Sequence, residues 1–326
     1  MEQAAGKLRF SVVIPTRDRP ELFSVALASV LQQSFEDLEV VVVNDGSSDE
    51  NWSRYQTIEG LKNPRVTVVS LPRRPQGHGP SYAINSGAAR ARGDYLCFLD
   101  DDDEWIDGEH LDRAARWIQQ CAFTPDTLYT NQHAYKPDGS RVGGKLWLNR
   151  LADHWDGSDA GEVTVETLLA GGSFPHLNCT IIRRALFEEI QGFDDGIRYE
   201  CETDLYLRTL DRARHLLYAP TFVGRHHVPE GSGRNSESTA VDRQAKYLSQ
   251  VRVYTKSFAT AAHPAIRDVS RRRLGDVYRN MAQHCHDLGE ARRAFVFARQ
   301  AGSCRGTLRW AARTCLLGLQ ALGSKR

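Results

Sequence analysis

The sequence predicts an α/β protein: a doubly wound, mostly parallel sheet with an α-helical C-terminal extension. Three observations carry this. Apolar runs alternate with amphipathic helical segments through the first hundred residues. Several of these runs stop in polar, turn-forming loops, which such a sheet gathers on one edge. From about Ala240 the chain becomes helical throughout.

Phe10 to Ile14 is an apolar strand ending at Pro15-Thr16. Pro20 opens a helix to about Gln33, with Leu22, Val25, Ala26, Ser29 and Val30 on one face. Leu38 to Val43 is continuously apolar, as a strand buried on both faces of a parallel sheet must be. Asn44-Asp45-Gly46-Ser47-Ser48-Asp49 then signals a turn and a helix start, and the helix runs to about Glu59. Val66 to Ser70 is a third strand, Ser81 to Arg90 a third helix and Tyr95 to Leu99 a fourth strand. Right-handed crossovers follow from this order. Residues 107–120 read as a helix, and 126–148 as strand material around an Asp138-Gly139 hairpin turn. Gly-rich loops at 157–161 and 171–173 flank a short helix. Thr180 to Ile182 reads as a strand, Glu202 to Arg212 as a helix, Leu216 to Val223 as a strand and 229–238 as a mobile loop. Domain boundaries are expected at 1–235 and 236–326.

In the tail, Ala265 to Leu288 and Glu290 to Ala301 form a helix pair around Gly289, with spacing like one tetratricopeptide unit. Leu308 to Leu322 is a short amphipathic helix flanked by Arg and Lys. Packing on its own domain is the commoner fate of such a helix. The sharper alternative is peripheral membrane contact through residues 305–326. His284 and His286 fall on different helix faces and make no metal pair.

Composition is that of an ordinary soluble globular protein, at 41% hydrophobic and 25% charged residues. A net charge of +1 implies no polyanion-binding field, so no nucleic-acid partner is expected. Seven scattered cysteines without a CxxC pair fit a reduced, cytoplasmic chain. The first residues lack the apolar core of a secretory signal, and no stretch suits a spanning helix.

The most informative feature is Asp100-Asp101-Asp102-Asp103, which ends the fourth strand. Clustered carboxylates are unfavourable unless a cation neutralises them or some stay protonated. Their oxygens suit hard cations such as Mg2+ or Mn2+. The competing structural explanation is a solvated, helix-capping loop. For Asp18 it is capping of the helix at Pro20, for Asp45 an Asx turn, and for Glu202 and Asp204 the first turn of a helix.

Four motifs together resemble the inverting family 2 glycosyltransferases of GT-A (Rossmann-like) type. They are the stretch from Ser11 to Pro20, the stretch from Val41 to Asp49, the stretch from Gly93 to Asp103, and Gly192-Phe-Asp-Asp-Gly-Ile-Arg-Tyr-Glu-Cys-Glu-Thr-Asp-Leu. The likeness covers about residues 8–230. It implies transfer of a sugar from a nucleotide-diphosphate donor, UDP-sugar first, to a glycan, lipid-linked or protein acceptor at the inner face of the cell membrane. It implies that Pro15, Thr16 and Asp18 touch base and ribose, that Asp45 accepts the uracil N–H, and that Gly46 permits close backbone approach. It implies that Asp100 or Asp101 reaches the ribose or donor sugar. It places a divalent ion, Mn2+ or Mg2+, on Asp102 and His227, with His226 second. Asp103 is then surplus and caps the next helix. One of Arg73, Arg74 and His78 faces the diphosphate, and Asn85 has a structural role. The catalytic base falls on Glu202, with Asp204 and Glu200 as alternatives, because the family's usual Glu-Asp pair reads Cys201-Glu202 here. A homo-oligomer is compatible with all of this. Two other functions compete: a non-catalytic scaffold acting through its helical tail, and a nucleotidyltransferase. The latter is disfavoured by the glycine-free first loop. A dehydrogenase lacks its GxGxxG.

Overall fold

A computed structural model describes residues 9–144, 146–157, 159–228 and 242–323. The first four strands are β1 (Phe10–Thr16), β2 (Leu38–Asn44), β3 (Val66–Ser70) and β4 (Tyr95–Phe98). Between them lie α1 (Pro20–Leu31), α2 (Asp49–Gln56) and α3 (Pro80–Ala88). Prolines open α1 and α3, where a missing N–H costs nothing. Helix α2 starts from Ser48, whose side chain accepts the Asn51 N–H. It ends at Gln56, short of the expected Glu59, where a separate 3-10 turn (Glu59–Lys62) takes over.

Next come β5 (Glu104–Trp105), α4 (His110–Gln120), β6 (Thr127–Tyr135), α5 (Asn149–Ala152), β7 (Gly161–Val163), α6 (Val165–Ala170), β8 (Thr180–Arg183), α7 (Arg184–Glu189), α8 (Cys201–Arg212) and β9 (Leu216–His227). The sheet order is β3-β2-β1-β4-β8-β6-β9-β5, with β7 on β9. β1, β2, β3, β4, β6 and β9 run one way, and β5, β7 and β8 the other. The sheet is thus mostly parallel, as the sequence predicts, with β8 reversed between β4 and β6. Its parallel half is packed tightly. A Cβ on Gly87 would sit 2.5 Å from Val13 Cγ1 and 2.8 Å from Val43 Cγ2, so α3 presses its backbone onto β1 and β2.

Two expectations change here. Strand material at 126–148 shrinks to β6. The Asp138-Gly139 turn does form, with Ser140 N bonded to Asp138 Oδ1, but among the described residues the returning arm pairs as a bridge at Arg141 rather than as a strand. Strand β9 runs four residues further than expected, to His227, which carries Arg225-His226-His227 into the sheet.

The C-terminal helices are α9 (Arg243–Thr260), α10 (Pro264–Asp287), α11 (Ala291–Cys304) and α12 (Leu308–Gly323). Backbone contacts divide the chain into two compact units, and Tyr199–Asp211 clusters with these helices rather than with the sheet. Gly289, at φ +75°, ends α10 in the left-handed conformation, and Glu290 N returns to Cys285 O at 2.8 Å. Such a stop favours glycine. The loop expected at 229–238 and the helical onset at Ala240 lie outside the described residues.

Candidate donor site

The carboxyl ends of β1, β2 and β4 meet, as ligand sites in open α/β sheets do. Thr16 ends β1 and is buried. Its Oγ1 lies 2.6 Å from Tyr55 Oη and donates to Asp101 Oδ2 at 2.6 Å. Arg19 then spans two carboxylates, at 2.6 Å to Asp101 Oδ1 and 2.7 Å to Asp102 Oδ2. Burial pushes the Asp101 carboxyl up to about 7; Arg19 opposes the shift and Asp102 adds to it.

Asp18 does not cap α1, whose cap residue is Arg19. It adopts φ +55° and turns to the second loop. Its Oδ1 accepts Ser48 N at 2.8 Å and Asn51 Nδ2 at 2.9 Å, which supports the start of α2. The side-chain acceptor in the turn after β2 is Asn44, whose Oδ1 takes the N–H of Ser47, three residues on, at 2.9 Å. Asp45 instead anchors the 72–80 loop, where its carboxylate accepts His78 N at 2.8 Å and Gly79 N at 3.0 Å. Gly46, at φ +68°, makes a close backbone approach, but to the chain itself. A Cβ there would lie 2.7 Å from Arg73 Cα. Pro15 lies within β1, paired with Val43.

The same loop is tied down from two further sides, by Arg17 on the carbonyls of Arg74 and Pro75, and by Arg198 on Gln76 O. His78 turns its Nε2 to Pro72 O at 2.9 Å and stacks on Tyr82. Arg73 and Arg74 are exposed. Asn85 has the expected structural role, bonding Phe193 through both N and O.

Asp103 is not a surplus helix cap. It is buried and accepts Asn178 Nδ2 at 2.5 Å, His226 Nδ1 at 2.9 Å and His227 N at 2.8 Å. Asp100 takes Asn178 Oδ1 on its backbone N–H, and its carboxylate lies 3.8 Å from His176 Nε2. Burial raises the Asp103 carboxyl, but the bond to His226 and its charge hold it below the usual range. Burial lowers His226, yet its hydrogen bond to Asp103 takes it up to about 9. His176, 4.8 Å away between ring centres, is lowered by burial and by His226.

Side chains alternate along a strand, so His226 and His227 cannot both face Asp103. It is His226 that does. His227 turns Nδ1 to Asp102 O at 2.8 Å. Within the first unit, two groups have ligand atoms within 4.8 Å of one another: Asp100, Asp102 and Asp103, and Asp103, His176 and His226. The carboxylate group fits Mg2+ or Mn2+, whereas imidazole donors suit transition metals. Sequence reasoning gives no role to Arg19, Tyr55, His176 or Asn178. Arg19 stands inside a quoted motif, whereas His176 and Asn178 come from a segment with no motif.

The predicted base candidates lie in the second unit. Asp204 is 2% exposed and is paired with Arg208 at 2.8 Å and Lys256 at 2.9 Å. Glu200 accepts Thr203 Oγ1 at 2.8 Å and Gln250 Nε2 at 2.9 Å. Glu202 stands in the first turn of α8.

The profile of Glycosyl transferase family 2 matches residues 11–190, more than half of the chain. The chain belongs to this family. Among family 2 relatives, the amylovoran biosynthesis glycosyltransferase AmsB of Erwinia amylovora is 34% identical over 259 residues, covering 76% of this chain and 81% of that protein. The GalNAc(5)-diNAcBac-PP-undecaprenol beta-1,3-glucosyltransferase of Campylobacter jejuni is 34% identical over 100 residues, only 31% of either chain. The structure of S. aureus TarS 1-349 in complex with UDP-GlcNAc superposes with a TM-score of 0.68 at 18% identity, covering 97% of this chain and 89% of that one. That likeness fixes the GT-A fold and no more.

Proposed function

We propose that the protein is an inverting, metal-dependent transferase that moves a sugar from a UDP-sugar to a hydroxyl of a glycan or lipid-linked acceptor in surface polysaccharide synthesis. One observation carries this: the Asp100–Asp103 run lies beside Thr16 and beside His176 and His226, at the carboxyl edge of the sheet. The names of the relatives support the acceptor class, since one acts on an undecaprenol-linked saccharide and another serves amylovoran biosynthesis. The UDP-GlcNAc complex of TarS supports UDP as the nucleotide.

Asp100, Asp102 and Asp103, with His176 or His226, would hold the ion. A bound divalent cation offsets charge developing on the diphosphate leaving group. Arg19 pairs with Asp101 and Asp102 together and offsets part of their mutual repulsion. A carboxylate has room for about four acceptor contacts, so Asp45 can take a uracil N–H beside its two loop bonds. Thr16, with Asp18 behind it, borders the nucleoside side. Glu202 takes the acceptor proton, with Asp204 and Glu200 as the alternative bases. No disulfide links the seven cysteines, which suits a reducing, cytoplasmic setting.

Calorimetric titration of UDP, GDP and dTDP, with and without Mn2+, tests the donor site. Metal-dependent binding of UDP, lost in Asp102→Asn, is the expected result. No binding of any nucleotide would favour a scaffold acting through the helical tail. Glu202→Gln should keep donor binding and lose turnover.

A further inference from the structure

From 291 to 326 the chain carries eight Arg or Lys and no Asp or Glu. The remaining residues carry 34 basic and 41 acidic side chains, so the near-neutral total conceals a strongly cationic end. Helix α12 is fixed on α11, with help from α10 through Arg313 to Gln283 and Arg279 over Trp310. Trp310 Nε1 donates to Ala298 O at 2.9 Å, Leu317 is buried, and Gly318 lies close against the Phe295 ring. The opposite side presents Leu308, Ala312, Cys315, Leu319 and Leu322, spaced alternately four and three residues apart. Leu308 is 93% exposed, Leu319 67% and Leu322 68%. An open groove of about 770 Å³ runs beside this stripe. Phe295, Leu319 and Leu322 form its apolar lining, and Arg292 and Arg299 stand at its border.

We propose that this face of α11 and α12 docks on an anionic phospholipid surface, with leucines in the acyl boundary and arginines at the phosphates. An apolar stripe of this regularity calls for a cover. A second copy of the chain would bring equivalent patches together about a two-fold axis. Arg299, Arg309 and Arg313 would then meet other arginines, with no acid on either helix to pair them. Lipid phosphates supply the missing negative charge, and a basic amphipathic helix lying in the interface plane buries such leucines. No helix among the described residues is long and apolar enough to cross a membrane, so the contact is lateral. This surface is independent of the transferase reading, and its test needs no nucleotide.

The test is sedimentation of the full chain with vesicles of phosphatidylcholine alone or with roughly one-third phosphatidylglycerol. Binding to the anionic vesicles only is expected. Each arginine near such a surface contributes roughly fivefold, so Arg299→Gln/Arg309→Gln should weaken partition about twenty-five-fold. Leu319→Gln/Leu322→Gln should also release the protein. All four side chains are exposed, so unchanged thermal melting verifies that the variants fold. Equal binding to both vesicle types, or binding indifferent to the arginine variant, would overturn the proposal. So would a dimer in analytical ultracentrifugation that the leucine variant splits, with no vesicle binding; a second copy would then be the occupant.

Discussion

The two halves of the sheet hold one acidic run by opposite means. Toward β1 and β2, Asp101 and Asp102 share a single guanidinium, and Asp101 also takes the Thr16 hydroxyl. Toward β8 and β9, Asp103 is held by Asn178, His226 and a backbone amide, and Asp100 lies near His176. The first side pairs carboxylates with a charge that never titrates. The second pairs them with imidazoles, which do titrate, beside neutral N–H donors. Carboxyl groups two residues apart are driven in opposite directions: burial carries Asp101 up to about 7 against the pull of Arg19, whereas His226 outweighs burial and holds Asp103 below its usual range. The difference teaches that partners, not burial alone, decide which acid keeps its proton, since both are almost fully buried.

Substitutions on the two sides should separate in size. Asp103→Ala leaves the His226 ring, the Asn178 side-chain amide and the His227 N–H without their acceptor. It should cost about 3–5 kcal/mol of stability in urea unfolding; a loss under about 1 kcal/mol would mean the histidine side is not a folded-state constraint. Thr16→Val removes one hydrogen bond to a buried carboxyl and another to Tyr55. It should cost about 1–3 kcal/mol by the same assay.

A matched pair of structural carboxylates sharpens the comparison away from the donor site. On the parallel half, Glu39 accepts Ser11 Oγ at 2.7 Å and both Nε and Nη2 of Arg92. On the other half, Asp126 accepts Arg183 Nε at 2.9 Å and the amides of Arg214 and His215. Burial raises both groups, but these hydrogen bonds leave each below its ordinary value, 4.5 for Glu39 and 3.8 for Asp126. A carboxyl with a depressed folded-state pKa stabilises above its unfolded value and loses that contribution as pH falls through the folded one. Glu39→Gln and Asp126→Asn should each lower stability at neutral pH by about 1 kcal/mol and flatten the fall below pH 4.5 and 3.8 respectively. Melting curves between neutral and acid pH decide it. An unchanged acid limb in both variants would remove these carboxylates from the account.

Asp102→Asn should have the smallest effect on stability. Asp102 and Arg19 are about a quarter exposed, and such pairs contribute about 0–1 kcal/mol. The same variant should lose metal-dependent nucleotide binding, so stability and binding separate at this residue.

The parallel half is largely legible in the sequence because each motif there is one strand and its following loop. Val41 to Asp49 announces strand, turn and helix start in nine letters. Even so, the turn acceptor is Asn44 rather than Asp45, since both types suit it and only the fold shows which faces Ser47. The antiparallel half is poorly legible. Asn178 and His176 lie about 75 residues from the acids they serve, and no local pattern records a pairing across a reversed strand. The resemblance ranks His226 behind His227 by the register of Arg225-His226-His227, while the apolar pattern of β9 stops at Val223. Once the strand continues, alternation assigns the two rings to opposite faces. The base candidates show a third kind of gap. Three acids in one turn look alike in sequence, but Lys256 and Gln250, which engage two of them, come from a helix some fifty residues on.

Asp100 to Asp103 are four identical letters with four different addresses. Deleting one of them would leave the motif intact to any reader of spelling, since three aspartates would still follow the same strand. In space, the acid that belongs to Arg19 would be delivered to the histidines. An alignment that slides by a single position through this run pairs chemically unlike residues while scoring them as identities, and a directed library that treats the run as redundant will find that its members cannot substitute for one another.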